Sequence, residues 1–381
     1  MRSNIHPSDS SEPSTRIPNE LLPADGRFGA GPSKVRKEQI EALTALSVSV
    51  LGSSHRQEPV KSLMRSIKTG LHSLFTLPAG WEVILGNGGA SFFWDAASFG
   101  LIRNRSEHLV FGEFSSKFAD IVSRAPHLSA PLVLSAVAGD APSPVVADVD
   151  TYCFTHNETS TGVFSSLSRP LGGQDALVVV DATSAAGCIP WACAEVDVYY
   201  FSPHKGFGSD GGTWLALCSP KALARIAEIR DSKRWCPPSL DLAVSLANSR
   251  ENQMYNTQSV STMILLDEQI KWMLGNGGLP WCAQKVNLSS NMLYTWADKH
   301  ELVSPFVTNR DLRSPVVVTL DFDKVDASAL SRILRANGIV DVEPYRKIGR
   351  NQLRVSVFPS VDLEDVASLI SCIDYVIGRL V

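Results

Sequence analysis

The sequence contains no apolar run approaching the roughly 18 residues that a membrane-spanning helix needs, so no helical membrane anchor is expected. It has no CxxC pair, and its seven cysteines, at 153, 188, 193, 218, 236, 282 and 372, are odd in number and scattered. That distribution suits buried free thiols in a reducing compartment and argues against a disulfide framework or a zinc site, so no metal is expected. An excess of one charge is also missing. Lys and Arg total 35 against 39 Asp and Glu, a net charge of −4. This gives no overall attraction to nucleic acid or to an anionic membrane surface. An anionic ligand must then be met locally, by arginines and backbone N–H groups. No internal repeat is present. Residues 1–25 lack the apolar segment of a signal peptide and are rich in Ser, Pro and charge. They read as a flexible tail, and the cytoplasm is the expected location.

What the chain has is length and alternation. With 381 residues, 44% of them hydrophobic, it can bury a large core and is expected to form two domains. The large one would span 26–270 and the small one 271–381. A Gly29-Ala30-Gly31-Pro32-Ser33 turn precedes a helix near 34–46. Val60, Leu63, Ile67, Leu71 and Leu74 give a second helix near 59–75. Strand signals follow at 81–85, 108–111, 151–155, 176–181, 196–201 and 212–218, most of them separated by helical or loop segments. This alternation predicts an α/β fold with a doubly wound, largely parallel sheet covered by helices. A long helix near 258–274 stops at Gly275-Asn276-Gly277-Gly278. Beyond it, helices at 281–299 and 327–336 and strands at 315–322, 339–343 and 352–358 read as a small α+β unit.

Two residues stand just past the ends of buried-strand signals: Asp181, after Leu177-Val178-Val179-Val180, and Lys205, in Ser202-Pro203-His204-Lys205-Gly206. Ligands of open α/β sheets bind at such strand ends. An acid and a lysine there suit one cofactor, pyridoxal 5'-phosphate. The lysine would hold its aldehyde as a Schiff base, and the acid would keep the pyridine nitrogen protonated. Partial burial would lower the lysine below its usual pKa of about 10.4 and leave a neutral amine for proton transfer. Taken singly, each residue has a blander explanation: Asp181 as a helix cap, Lys205 as a stem reaching out to water. His204 would orient the loop or cover the cofactor.

Three further segments bear on the same site. Gly88-Gly89-Ala90-Ser91 joins a strand to a helix start, where free N–H groups and the helix dipole favour a phosphate; it matches neither GxGxxG nor a P-loop. In the polar loop His156–Gly162, Asn157 and Thr159 are candidates to bond a cofactor hydroxyl or phosphate. Two basic clusters, His55-Arg56 and Tyr345-Arg346-Lys347-Ile348-Gly349-Arg350 followed by Arg354, suit carboxylate and phosphate.

Together these segments resemble the phosphoserine aminotransferases, pyridoxal-phosphate enzymes of fold type I, and above all their actinobacterial branch. The matching pieces are Phe28–Ser33, Ser54-His55-Arg56, Gly88–Ser91, Asn157-Glu158-Thr159, Asp181, His204-Lys205, Tyr255-Asn256-Thr257 and Arg354, with 24 positions from Asp181 to Lys205. The resemblance implies a large domain with a mostly parallel seven-stranded sheet and a small C-terminal α+β domain. It implies Lys205 as the Schiff-base lysine and Asp181 as partner of the pyridine nitrogen. Ala90 and Ser91 would hold the cofactor phosphate, Phe114 would stack on the ring, Thr159 would contact the ring hydroxyl side, and His204 stands where many members have glutamine. Asn256 and Thr257 would reach the cofactor phosphate of a neighbouring subunit, making a homodimer with shared sites. His55, Arg56, Arg354 and either Arg346 or Lys347 would hold the substrate. The expected reaction passes an amino group from glutamate to 3-phosphohydroxypyruvate, for serine biosynthesis. The family also tends to act on the phosphorylated hydroxythreonine precursor of vitamin B6. Rival expectations are a cysteine desulfurase, which needs a mobile nucleophilic cysteine late in the chain where only Cys372 stands, an alanine–glyoxylate type aminotransferase, and a non-enzymatic α/β binding protein.

Overall fold

Alternation of side chains along the strands sets the layering. The computed structural model describes residues 15–171 and 175–381. Its strands are β1 (Glu82–Asn87), β2 (Ser106–Val110), β3 (Leu132–Ser135), β4 (Thr151–Thr155), β5 (Asn157–Glu158), β6 (Val163–Phe164), β7 (Leu177–Asp181), β8 (Val198–Phe201), β9 (Thr213–Cys218), β10 (Val303–Pro305), β11 (Val317–Phe322) and β12 (Gln352–Ser356). Its α-helices are α1 (Lys37–Ala45), α2 (Glu58–Leu74), α3 (Ala90–Gly100), α4 (Glu113–Ser123), α5 (Pro220–Asp231), α6 (Leu242–Arg250), α7 (Val260–Gly275), α8 (Gly278–Ala297), α9 (Ala327–Ala336) and α10 (Leu363–Leu380). Seven strands form one sheet in the order β1-β9-β8-β7-β4-β2-β3. All run the same way except β9, which is antiparallel to both its neighbours. The expected doubly wound, mostly parallel seven-stranded sheet is present.

Both faces of this sheet are covered. Val178, Val180, Tyr199, Phe201, Leu215 and Leu217 point into one core, against α2 and α7. Their alternates Leu177, Val179, Val198, Tyr200, Trp214 and Ala216 point into another, against α3, α5 and α6. Helix α2 earns its place by spacing: Val60, Leu63, Met64, Ile67, Leu71 and Leu74 are its buried residues. Beyond α7 a third core fills the space between the antiparallel sheet β10-β11-β12 and helices α8, α9 and α10.

Several expectations are corrected. Residues 339–343 form no ladder strand; Val340 makes only an isolated bridge to Arg27. The polar loop after β4 is a tight hairpin, β5 paired with β6, and its residues 156–162 are all buried. Strand β3 was not anticipated: it is a half-exposed edge strand of four residues. The expected flexible tail does not extend to residue 25. Residues 1–14 lie outside the described residues, but from Thr15 onward the chain packs on the C-terminal unit. Ile17 is 1% exposed, its N–H donates to Asn337 Oδ1 at 2.9 Å, and Leu21 and Leu22 rest on the third core.

That packing is measurable. Ile17→Ala should lower unfolding stability by about 2–4 kcal/mol, the usual penalty for emptying a buried aliphatic site, read as the shift in denaturant midpoint. An unchanged midpoint would mean that the segment does not contribute to the core.

Candidate active site

All the unreversed strands end at one edge of the large sheet, and the loops that leave them there converge. β1 delivers the turn 88–91, β2 delivers Phe114, β4 delivers Asn157 and Thr159, β7 ends on Asp181, and β8 leads into His204 and Lys205. Together with Gly31, Trp94, Tyr345 and Arg354 they line a cavity of about 310 Å³. A larger hollow of about 750 Å³ lies at the opposite strand ends, walled by Arg103, Arg105, Asp148 and Asp175. It holds neither lysine nor glycine cradle, so the smaller cavity carries the chemistry.

Lys205 is 5% exposed. Its Nζ donates to Thr159 Oγ1 at 2.9 Å and lies 5.2 Å from the centre of the Phe114 ring. Loss of hydration, and then the like charge of Arg354, push its pKa down to about 7; Asp181 and Glu158 pull the other way. A substantial share of the amine is therefore neutral at neutral pH. A side chain on Gly31 would sit 3.0 Å from Lys205 Cε, so glycine there lets the chain pass the lysine stem. Asp181 caps no helix. Its Oδ2 accepts from Trp94 Nε1 at 3.1 Å and its Oδ1 from the Thr183 N–H at 2.9 Å. Beside Lys205, His204 is pushed down to about 4, first by burial and then by the neighbouring lysine; its Nδ1 is 3.0 Å from Ser202 Oγ.

The cradle and the cavity wall contain unmet polar groups. Gly89 precedes α3 without any side-chain cap, and the N–H groups of Ala90 and Ser91 meet no acceptor among the described residues. Gly88 has φ +98°, and a Cβ there would lie 2.7 Å from Phe92; a Cβ on Gly89 would meet open space. Asn157 spends its amide N–H on Ser184 Oγ, while its Oδ1 and Thr183 Oγ1 are buried without partners. An acid at one end, a glycine-lined N–H cradle at the other and orphaned polar atoms between them fit a planar phosphorylated pyridine with a ring hydroxyl. The residues present thus suit pyridoxal phosphate.

Arg354 donates from Nη1 to Thr159 O at 3.2 Å, lies 5.4 Å over the Tyr345 ring, and has a buried Nε with no partner. It makes no ion pair with any described residue. The other expected substrate and cofactor residues are not at this cavity. His55, Arg56, Asn256 and Thr257 do not line it, and Arg56, Asn256 and Thr257 are exposed. Arg346 is exposed as well, and Lys347 is paired with Glu113. Sequence reasoning missed Trp94, Thr183, Ser184 and Tyr345. Trp94 follows the cradle by one helical turn, a spacing that puts it on the same face. Tyr345 had no signal of its own.

The comparisons agree with this geometry. Residues 141–342 match the family model for class V aminotransferases. A phosphoserine aminotransferase of Rhodococcus opacus is 55% identical over 366 residues, covering 96% of this chain and 98% of that protein. The solved phosphoserine aminotransferase of Cytophaga hutchinsonii superposes with a TM-score of 0.85 at 22% identity, covering 93% of this chain and all of that one. A PLP-bound phosphoserine aminotransferase from Trichomonas vaginalis gives 0.78 at 20% identity, over 92% and 99% of the two chains.

The lowered lysine can be titrated directly. In cofactor-free protein carrying ¹³C-methylated lysines, the Lys205 resonance should titrate with a midpoint near 7. Arg354→Met removes a like charge, so it should move that midpoint upward. A midpoint near that of a free lysine, about 10.4, would mean that the amine is not desolvated.

Proposed function

The chain belongs to the class V aminotransferase family, and from that premise we propose that it is a phosphoserine aminotransferase that works with pyridoxal phosphate. It takes the amino group of L-glutamate and gives it to 3-phosphohydroxypyruvate, releasing 2-oxoglutarate and O-phospho-L-serine. The observation that carries this reading is the buried Lys205 amine, bonded to Thr159, in one cavity with the acid Asp181 and the cation Arg354.

Ala90 and Ser91 would hold the cofactor phosphate, Asp181 its ring nitrogen, Asn157 and Thr159 its hydroxyl side, and Phe114 one face. When bound, the cofactor supplies an aldehyde that carries the amino group and a ring that accepts an electron pair. The protein supplies the rest. Lys205 Nζ takes the Cα proton of glutamate in the first half-reaction and returns a proton to Cα of the phosphorylated acceptor in the second. Asp181, fixed by Trp94 and the Thr183 N–H, would hold the ring nitrogen of the cofactor. His204, neutral, holds the loop through Ser202. Arg354, which makes no ion pair with any described residue, takes the substrate carboxylate or phosphate.

The phosphorylated substrate needs more cations than Arg354 alone. Arg56, Asn256 and Thr257 are exposed and His55 is half-buried, and none of the four lines its own chain's cavity. We place them in the cavity of a second copy, so that the enzyme is a homodimer with two shared sites. With seven unpaired cysteines, and no described helix long and apolar enough to cross a membrane, we assign it to the cytoplasm.

Purified protein should form O-phosphoserine from glutamate and phosphohydroxypyruvate. Lys205→Ala should reduce kcat by about 10²- to 10⁴-fold, as expected for loss of a general base. Arg354→Ala should raise KM for O-phosphoserine by about tenfold to a hundredfold, the range for a lost charged hydrogen bond, with little change in cofactor affinity. Equal losses of substrate and cofactor would contradict its role. Mixing the separately inactive Lys205→Ala and Arg56→Ala chains tests the shared site. Random pairing should restore about a quarter of wild-type activity, because half the dimers then hold one intact site. No recovery would place Arg56 outside the partner's site.

A further inference from the structure

The Glu158 side chain touches neither the cavity nor water, yet it ties together the groups that line the cavity. It is fully buried. Its Oε2 accepts from the N–H of Ser115 at 3.0 Å and of Phe114 at 3.2 Å, with Ser115 Oγ also at 3.0 Å. Its Oε1 accepts from the Ser160 N–H at 3.1 Å and from Ser160 Oγ at 2.7 Å. Ser160 Oγ in turn accepts from the N–H of Glu113 at 3.0 Å. The carboxylate thus takes up the unpaired N–H groups at the start of α4. Nothing larger than hydrogen fits at Gly112, where a Cβ would lie 2.3 Å from Glu158 Cγ. The approach is built into both segments.

The two segments so joined form opposite parts of the site. One carries Phe114. The other continues into Thr159, which accepts from Lys205 Nζ through Oγ1 and from Arg354 through its carbonyl. We infer that Glu158 is a positioning residue for the transfer reaction: it fixes the Phe114 ring against the Thr159–Lys205 side and so sets the width of the cofactor slot. This rests on the transaminase reading above. Every group facing the carboxylate is a donor, so a glutamine cannot replace it: its NH₂ would oppose N–H or O–H donors on one side or the other.

The test is a double-mutant cycle of Glu158→Gln and Phe114→Ala in the cofactor-loaded enzyme. It is read by kcat, KM, the visible circular dichroism of the bound cofactor and the cofactor Kd. Glu158→Gln alone should lower kcat by about tenfold to a hundredfold, the scale of a sub-ångström to ångström misplacement. It should also weaken the dichroic band while leaving KM for glutamate within about twofold. In the Phe114→Ala background the same change should cost several-fold less than it does alone, because its route through the ring is gone and only the loss of the carboxylate charge acting on Lys205 remains. Equal losses in both backgrounds, or a wild-type kcat and dichroism for Glu158→Gln, would overturn the inference. If Glu158→Gln does not fold, Ser160→Ala, which removes one donor to the carboxylate, takes its place. It should show the same non-additivity at about threefold, and additivity there would overturn the inference equally. Should the wild-type enzyme fail to make phosphoserine, the functional reading falls, but the dichroism and cofactor Kd still decide the role of Glu158.

Discussion

A lysine amine taken out of water beside another cation is the constraint to which the rest of the structure answers. Burial, first, and then Arg354 push the Lys205 amine towards its neutral form, while Asp181 and Glu158 pull the other way, leaving it near 7. Each of those groups must be fixed for that balance to persist. Asp181 is held by Trp94 and Thr183, Arg354 by Thr159 and Tyr345, and Glu158 by the first turn of α4. The lysine loop itself is tight: a Cβ at Gly206 would lie 2.4 Å from Ala186 O. The parallel sheet makes this affordable, because strands buried on both faces end together and bring four loops within reach of one amine.

The two ends of the cavity divide the work. In the proposed reading, the backbone N–H groups of α3 and the acid on β7 would grip a flat, phosphorylated ring whatever its substrate. Arg354, on β12 of the small sheet, crosses from the C-terminal unit to the Thr159 carbonyl, so its proposed role in substrate recognition would depend on how that unit docks. A desulfurase finds no support here. Cys372 is buried in α10, its Sγ donates to Leu21 O at 3.2 Å, and burial pushes its pKa up to about 11, whereas that chemistry needs a mobile thiolate.

What was legible in the sequence was local. All-apolar runs ending in Asp181 and preceding Lys205 announced buried strands, and the glycines at 88–89 announced a cradle; the structure places all three at one cavity. The helical spacing of Val60 to Leu74 and the stop at Gly275 likewise marked real elements. What was not legible depended on distant partners. Glu158 looks like any loop acid until α4 is laid over it, 43 to 44 positions away in the chain. Tyr345 gains its place only when the small sheet packs against the large one. The tail failed for the same reason: Ile17 is one apolar residue in a polar stretch, and it is buried among residues of the C-terminal unit, with its N–H bonded to Asn337, 320 positions away. Arg56, Asn256 and Thr257 are exposed and His55 is half-buried, and none of the four lines its own chain's cavity, so the roles expected of them rest on the proposed second copy.

The central claim is that this cavity passes an amino group to and from a phosphorylated skeleton. The direct measurement mixes cofactor-loaded enzyme with O-phosphoserine alone, without any keto acid, and follows the cofactor's visible band in a single turnover. The band should be lost as one phosphohydroxypyruvate is released per site, while alanine at the same concentration leaves it unchanged. Loss of the band with alanine but not with O-phosphoserine would contradict that claim.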